Sequence, residues 1–61
     1  MAAKFEIYTD ANKQFRFRLK AGNGEVIATG EAYASLAGCK NGIESVKKNA
    51  AIAEIVDKRE G

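Results

Sequence analysis

The sequence contains no histidine, no proline and no tryptophan, and it has a single cysteine, Cys39. One cysteine excludes a disulfide within the chain, and the lack of histidine excludes the usual zinc sites. Histidine is also the side chain that most often acts as a general base near neutral pH. We therefore expect a protein without a metal, without a cofactor and without enzymatic activity.

Long apolar runs and a strong charge of one sign are missing as well. No stretch approaches the ~20 apolar residues that a membrane-spanning helix needs. Residues 1–4 lead directly into a strand pattern, without the apolar core of a signal peptide. The formal net charge of +2 permits binding to polyanions but does not indicate it. The expected location is the cytoplasm, with no membrane partner.

The composition is that of one small globular domain covering residues 1–61, with 46% hydrophobic and 30% charged residues. A chain of this length buries only about 60% of the surface that its unfolded form exposes. Small domains gain further stability from disulfides, metals or association. With an intrachain disulfide and the usual zinc sites excluded, we expect the chain to associate with a second copy. The alternative is unusually good packing of the helix on the sheet, since many domains of this length fold alone.

Two segments alternate between polar and apolar residues, which is the pattern of half-buried strands. In residues 4–8, Phe5 and Ile7 are expected to face the core. In residues 15–21, four apolar side chains point one way and three basic side chains point the other way. The apolar set is Phe15, Phe17, Leu19 and Ala21, and the basic set is Arg16, Arg18 and Lys20.

The pair Asn23-Gly24 indicates a two-residue hairpin turn, because both residues tolerate positive φ. A strand over residues 25–29 follows. With a two-residue turn, Val26 and Ala28 face the core and Ile27 lies outside. A three-residue loop would instead bury Ile27, and the sequence leaves both alternatives open.

The only helical periodicity begins at Ser35, a favourable N-cap residue. An apolar stripe passes through Gly42, where we expect the helix backbone to approach the sheet closely. The stripe consists of Leu36, Cys39, Ile43, Val46 and Ala50. Residues 53–57 are predicted to form a last strand. The order β-β-β-α-β predicts an α+β fold, an antiparallel sheet with one helix packed on one face.

Three segments together resemble the YegP-like family of small bacterial domains of unknown function. They are residues 15–21 (FRFRLKA), residues 23–28 (NGEVIA) and residues 41–50 (NGIESVKKNA). The resemblance implies a unit that pairs with a second unit into one continuous sheet by exchanging C-terminal strands. With one unit in this chain, it implies a homodimer with Ala53, Ile55 and Val56 at the interface. It supplies no catalytic residues.

Two candidate sites remain besides that interface. Cys39 lies on the apolar stripe of the helix, where a free cysteine packs as a small hydrophobe, and without a base it is not a plausible nucleophile. The basic stripe of Arg16, Arg18 and Lys20, with Tyr8 nearby, could bind single-stranded nucleic acid weakly. Its simpler interpretation is the solvated face of a half-covered sheet. The sequence thus favours a dimeric interaction or scaffold protein, with another protein as a possible partner and weak nucleic-acid binding as the alternative.

Overall fold

A computed structural model describes residues 2–59 and contains three strands and one helix. They are β1 (Lys4–Thr9), β2 (Phe15–Lys20), β3 (Val26–Thr29) and α1 (Leu36–Ala50). The strands form one antiparallel sheet in the order β1-β2-β3. The predicted α+β architecture is therefore confirmed.

The register of β1 and β2 separates an apolar face from a charged face. Phe5 pairs with Leu19, and Ile7 pairs with Phe17. The alternate pairs consist of polar or charged residues with Tyr8 among them: Lys4 with Lys20, Glu6 with Arg18, and Tyr8 with Arg16. Because paired residues share a face, the prediction of an inward apolar set and an outward basic stripe is confirmed.

The hairpin between β1 and β2 is closed by Asp10 and Gln14. The Asp10 N–H donates to the Gln14 carbonyl at 3.0 Å, and the Lys13 N–H donates to the Asp10 carbonyl at 3.0 Å. The Asp10 carboxylate also accepts from the N–H groups of Asn12 and Gln14, at 2.9 and 3.0 Å. Lys13 has a φ of 61°, which is the left-handed conformation that ends this type of three-residue loop.

The hairpin between β2 and β3 is closed by the same pattern of hydrogen bonds. The Ala21 N–H donates to the Glu25 carbonyl at 2.8 Å, and the Gly24 N–H donates to the Ala21 carbonyl at 2.9 Å. Gly24 occupies the left-handed position with a φ of 90°. The turn is therefore the three-residue loop, residues 22–24, and not the two-residue Asn23-Gly24 turn.

A bulge in β3 then shifts the register. Lys20 pairs with Val26 and Leu19 pairs with Ala28, so Ile27 has no partner on β2. Ala28 thus shares the apolar face, as the two-residue alternative predicted. Val26 lies on the face of Lys20, so the core position that this alternative gave it is wrong. Ile27 is exposed, because the bulge prevents the burial that a three-residue loop alone would give.

The core is small and centres on the side chains between the sheet and the helix. Among the described residues, only Phe17 and Cys39 are buried, with 4% and 0% of their surface exposed. The Phe17 ring contacts Phe5 edge-on at 5.9 Å and stacks on Tyr33 at 6.3 Å between ring centroids. Tyr33 is anchored to β2 by two backbone hydrogen bonds with Phe15, of 2.7 and 2.8 Å.

The helix begins as its sequence predicts, but Leu36, Val46 and Ala50 of its predicted apolar stripe are exposed. The Ser35 hydroxyl accepts from the Gly38 N–H at 3.0 Å, which confirms the N-cap. A Cβ atom on Gly42 would overlap the Tyr33 ring. Gly42 is therefore the point of close approach, and the partner is the Tyr33 ring between the helix and the edge of the sheet.

The predicted C-terminal strand is not formed in the single chain. Residues 53–59 have no regular secondary structure, and every residue from 51 to 59 is exposed. A strand needs a neighbouring strand for its backbone hydrogen bonds. Since residues 53–57 have no such neighbour in the single chain, they are not a strand there, which corrects this element of the prediction.

Candidate functional site

The first candidate is the segment after the helix, residues 52–56. Ile55 is 100% exposed, Ile52 78% and Val56 67%. Ala53, the remaining predicted interface residue, is exposed too. Burial of an isoleucine or valine side chain contributes roughly 1.5–3 kcal/mol, so three exposed neighbours are an unusual arrangement. Ile52 was not among the predicted interface residues because it precedes the predicted strand.

The second candidate is the charged face of the sheet, which brings Arg16, Arg18 and Lys20 together as predicted. Lys4 joins them from β1, so four cations share the face with one carboxylate, Glu6. Glu25 closes the second hairpin opposite Ala21, beyond the paired residues of this face.

Glu6 is the centre of an ion-pair cluster on this face. Its carboxylate lies 2.9 Å from the Arg18 Nε, 3.5 Å from the Lys20 Nζ and 3.6 Å from the Lys4 Nζ. The hydrogen bond from Arg18, helped by the charge of Lys20, holds the pKa of Glu6 below its ordinary value. Glu6 is therefore ionised at neutral pH and offsets part of the positive charge.

The two arginines of this face also contact other groups of the same chain. The Arg18 guanidinium lies 4.7 Å from the centre of the Tyr8 ring, where it covers one face of that ring. The Arg16 guanidinium donates to the Gly30 carbonyl at 3.3 Å, while its Nε is buried without a hydrogen-bond partner. The contact with Gly30 could not be foreseen from the sequence, because it depends on where the chain leaves β3.

Cys39 and the remaining carboxylates are the other described side chains that could bind a metal or react. Cys39, a residue of α1, is fully buried, in agreement with its predicted packing role. Within residues 2–59, no three His, Cys, Asp or Glu side chains are grouped so that they could hold a metal ion. Over the same residues, no helix is both long enough and apolar enough to cross a membrane.

Comparison with known sequences identifies relatives that match most of this chain. Residues 10–57 match the family described as "Domain of unknown function (DUF1508)". A UPF0339 protein of Treponema denticola is 70% identical over 57 residues, which are 93% of this chain and 98% of that protein. A UPF0339 protein of Methanosarcina acetivorans is 50% identical over 54 residues, or 88% of this chain and 93% of that protein.

Some relatives are about twice as long as the matched region. The UPF0339 protein YegP of Shigella flexneri is 48% identical over 59 residues, which are 97% of this chain but 54% of YegP. A UPF0339 protein of Shewanella oneidensis is 52% identical over 52 residues, or 85% of this chain and 47% of that protein. The chain therefore spans about half the length of these two relatives.

Solved structures share the fold. An NMR structure of a protein from Haloferax volcanii has a TM-score of 0.85 at 46% identity, covering 92% of this chain and 95% of that one. Protein ATU0232 from Agrobacterium tumefaciens has a TM-score of 0.75 at 47% identity, covering 90% and 89%. The relatives come from archaea as well as bacteria, which is wider than the bacterial range that the resemblance implied. The chain belongs to the DUF1508 family of unknown function, which includes the UPF0339 protein YegP.

Proposed function

We propose that this protein is a dimeric interaction or scaffold domain without chemistry of its own, in which the C-terminal segment of each chain docks on the other. The observation that carries the proposal is the exposure of Ile52, Ile55 and Val56 beyond the end of α1. These side chains follow one another closely in a short segment whose β-branched residues favour a strand. A second copy of the chain offers the sheet edges that such a segment needs.

The dimensions of the single chain support the proposal. A compact folded monomer of 6.6 kDa exposes about 3,900 Å², whereas this chain exposes 5099 Å². A compact domain of 61 residues has a radius of gyration of about 10.5 Å, whereas the Cα radius of gyration is 13.4 Å. The excess surface, about 1,200 Å², is larger than the ~800 Å² that each partner buries in a standard interface.

The lengths of the relatives support it as well. Some relatives match this chain over nearly their full length, and others are about twice as long. A second unit in the same chain can supply the contacts that a single-unit chain obtains from a second copy. A longer relative whose unmatched half held a second such unit would be the one-chain equivalent of the proposed homodimer.

Sedimentation of wild type and of Ile55→Asp tests the proposal. Ile55 contacts nothing that buries it in the single chain, so Asp there leaves the monomer fold intact but opposes burial in an interface. We expect wild type to sediment as a dimer and Ile55→Asp as a folded monomer. Lys58→Asp, a charge change in the same exposed segment, should remain dimeric. Equal behaviour of the two variants would contradict the proposal.

A second candidate function is weak, sequence-independent binding of single-stranded nucleic acid by the charged face. The excess of four cations over the single carboxylate Glu6 favours it. The contacts of Arg18 weaken this second candidate. The Arg18 charge is paired with Glu6, and the Arg18 guanidinium covers one face of the Tyr8 ring. Non-specific affinities of this kind lie at ~10⁻⁴ to 10⁻⁶ M and fall steeply with salt.

Fluorescence anisotropy of a labelled oligonucleotide at low salt tests this second candidate. Replacing Arg18 and Lys20 by Ser should abolish binding, while Glu6→Gln should strengthen it by removing the one carboxylate. A control with Lys47→Ser and Lys48→Ser removes the same charge from the helix and should bind more like wild type. No binding by wild type, or equal loss in both double variants, would rule out this face as a nucleic-acid site.

A further inference from the structure

The charged face presents three of its cations in a line along β2. Arg16, Arg18 and Lys20 occupy alternate positions of this strand, so their side chains follow one another at intervals of about 7 Å on one face. The carboxylate of this face, Glu6, lies beside the line on β1, and the β3 residue opposite Arg18 is the uncharged Thr29. A line of cations suits an extended ligand that carries many negative charges.

Arg18, in the middle of the line, is held in one orientation with part of its guanidinium free. Its Nε donates to the Glu6 carboxylate at 2.9 Å, and its guanidinium lies over the Tyr8 ring, 4.7 Å from the centre of that ring. Its two terminal nitrogens make no hydrogen bond with the described residues and are reached by solvent. They form a planar fork whose N–H groups match two oxygens of one phosphate.

The residues on either side of Arg18 also retain donors. Arg16 uses one terminal nitrogen for the Gly30 carbonyl, at 3.3 Å, and its other terminal nitrogen makes no hydrogen bond with the described residues. The Lys20 Nζ lies 3.5 Å from the Glu6 carboxylate. Because an ammonium group has three donors, this contact leaves two of them available. An anionic chain on Arg18 would therefore meet a further cation in both directions along β2.

The same face offers little to a nucleobase. Tyr8 is the one aromatic side chain among the paired residues of this face, and Arg18 covers one side of its ring. Proteins that bind single-stranded nucleic acid without sequence preference stack successive bases on aromatic side chains. Without such rings, bases add bulk but few contacts, whereas the attraction between cations and phosphates remains.

We propose that the charged face binds inorganic polyphosphate, a linear chain of phosphate groups, through the phosphate oxygens alone. The Arg18 fork takes two oxygens of one phosphate, and Arg16 and Lys20 contact phosphates further along the chain. Four cations and one carboxylate leave this face with an excess of three positive charges. The proposal places a different ligand on the face of the second candidate function and does not require nucleic acid to bind there.

Isothermal titration calorimetry of the full-length protein with inorganic polyphosphate at low salt tests the proposal. Arg18→Lys keeps the charge but removes the fork, so the affinity should fall about 10-fold, as for the loss of one charged hydrogen bond. Arg59→Lys makes the same change in the exposed C-terminal segment and should bind as wild type does. A well-dispersed NMR spectrum of each variant verifies that it is folded.

Two further ligands with the same number of phosphates, an oligonucleotide and its abasic counterpart, distinguish polyphosphate from nucleic acid. The proposal predicts that both bind equally, and no more tightly than polyphosphate. Tighter binding of the oligonucleotide with bases would overturn the proposal and support the nucleic-acid function instead. Equal affinity of wild type and Arg18→Lys for polyphosphate would overturn the role of the fork. No binding of polyphosphate by wild type would overturn the proposal as a whole.

Discussion

At the scale of the residue, Gly42 shows how one missing side chain positions the helix. Glycine inside a helix costs roughly 1 kcal/mol relative to alanine. This cost is offset because the Tyr33 ring occupies the space that a Cβ atom would need, and Tyr33 in turn stacks on Phe17. The glycine thus allows an aromatic ring to fill the gap between helix and sheet.

We expect Gly42→Ala to lower the free energy of unfolding by about 1–3 kcal/mol, because overpacking outweighs the gain in helix propensity. Gly38→Ala is the matched control in the same helix. A Cβ atom there would lie 3.6 Å from the Tyr33 ring and 3.2 Å from the Ser35 hydroxyl, which must shift by a few tenths of an ångström. Its effect on the free energy of unfolding should therefore be smaller than that of Gly42→Ala. Urea unfolding at one fixed protein concentration measures both, and equal effects would contradict the role of Tyr33.

The lowered pKa of Glu6 has a consequence for stability in acid. A carboxylate whose pKa is lower in the folded state stabilises the fold fully above its unfolded pKa, near 4.5. That contribution is lost as the pH falls through the lowered pKa of the folded state. Melting temperatures should therefore decline in acid for wild type.

In Glu6→Gln this part of the decline should be absent, because the amide does not titrate. Glu44→Gln serves as the control, since Glu44 is exposed and lies 3.8 Å from a single lysine, Lys47. A decline of the same size in Glu6→Gln and wild type would show that the cluster does not contribute to the pH dependence.

At the scale of the element, local pattern determined most of what could be predicted. Alternation in residues 15–21 predicts both faces of β2, and Ser35 predicts the start of α1. The β3 register was only partly predictable. The loop type depends on a positive φ at Gly24, while the bulge at Ile27 depends on packing against β2. The contact of Arg16 with Gly30 and that of Gly42 with Tyr33 join distant parts of the chain, so no local pattern specifies them.

A stable monomer and the proposed dimer differ most clearly in what they predict for the C-terminal segment. In the single chain, residues 51–59 are exposed throughout, so a monomer should lose little stability when they are removed. If the segment completes the sheet of a second copy, a chain that ends at Ala50 should no longer dimerise and, like Ile55→Asp, should be a monomer of lower stability than wild type. Thermal unfolding and light scattering of that truncated chain distinguish the two cases, and a product as stable as wild type or still dimeric would show that the segment is dispensable.

At the scale of the whole molecule, the central point is the mismatch between a small core and a large exposed surface. Two buried side chains among the described residues are few for a stable domain, whereas three aliphatic side chains after the helix are exposed. Association of two chains through the C-terminal segments would add buried apolar surface to the small core and would cover the exposed aliphatic side chains. It would also cover a strand edge that otherwise invites aggregation.

The mass of the full-length protein in solution, measured by light scattering at micromolar concentration, tests this claim most directly. The account predicts a particle of twice 6.6 kDa, which persists at high salt because its interface is mainly apolar. A stable, folded particle of 6.6 kDa across the same concentrations would contradict it.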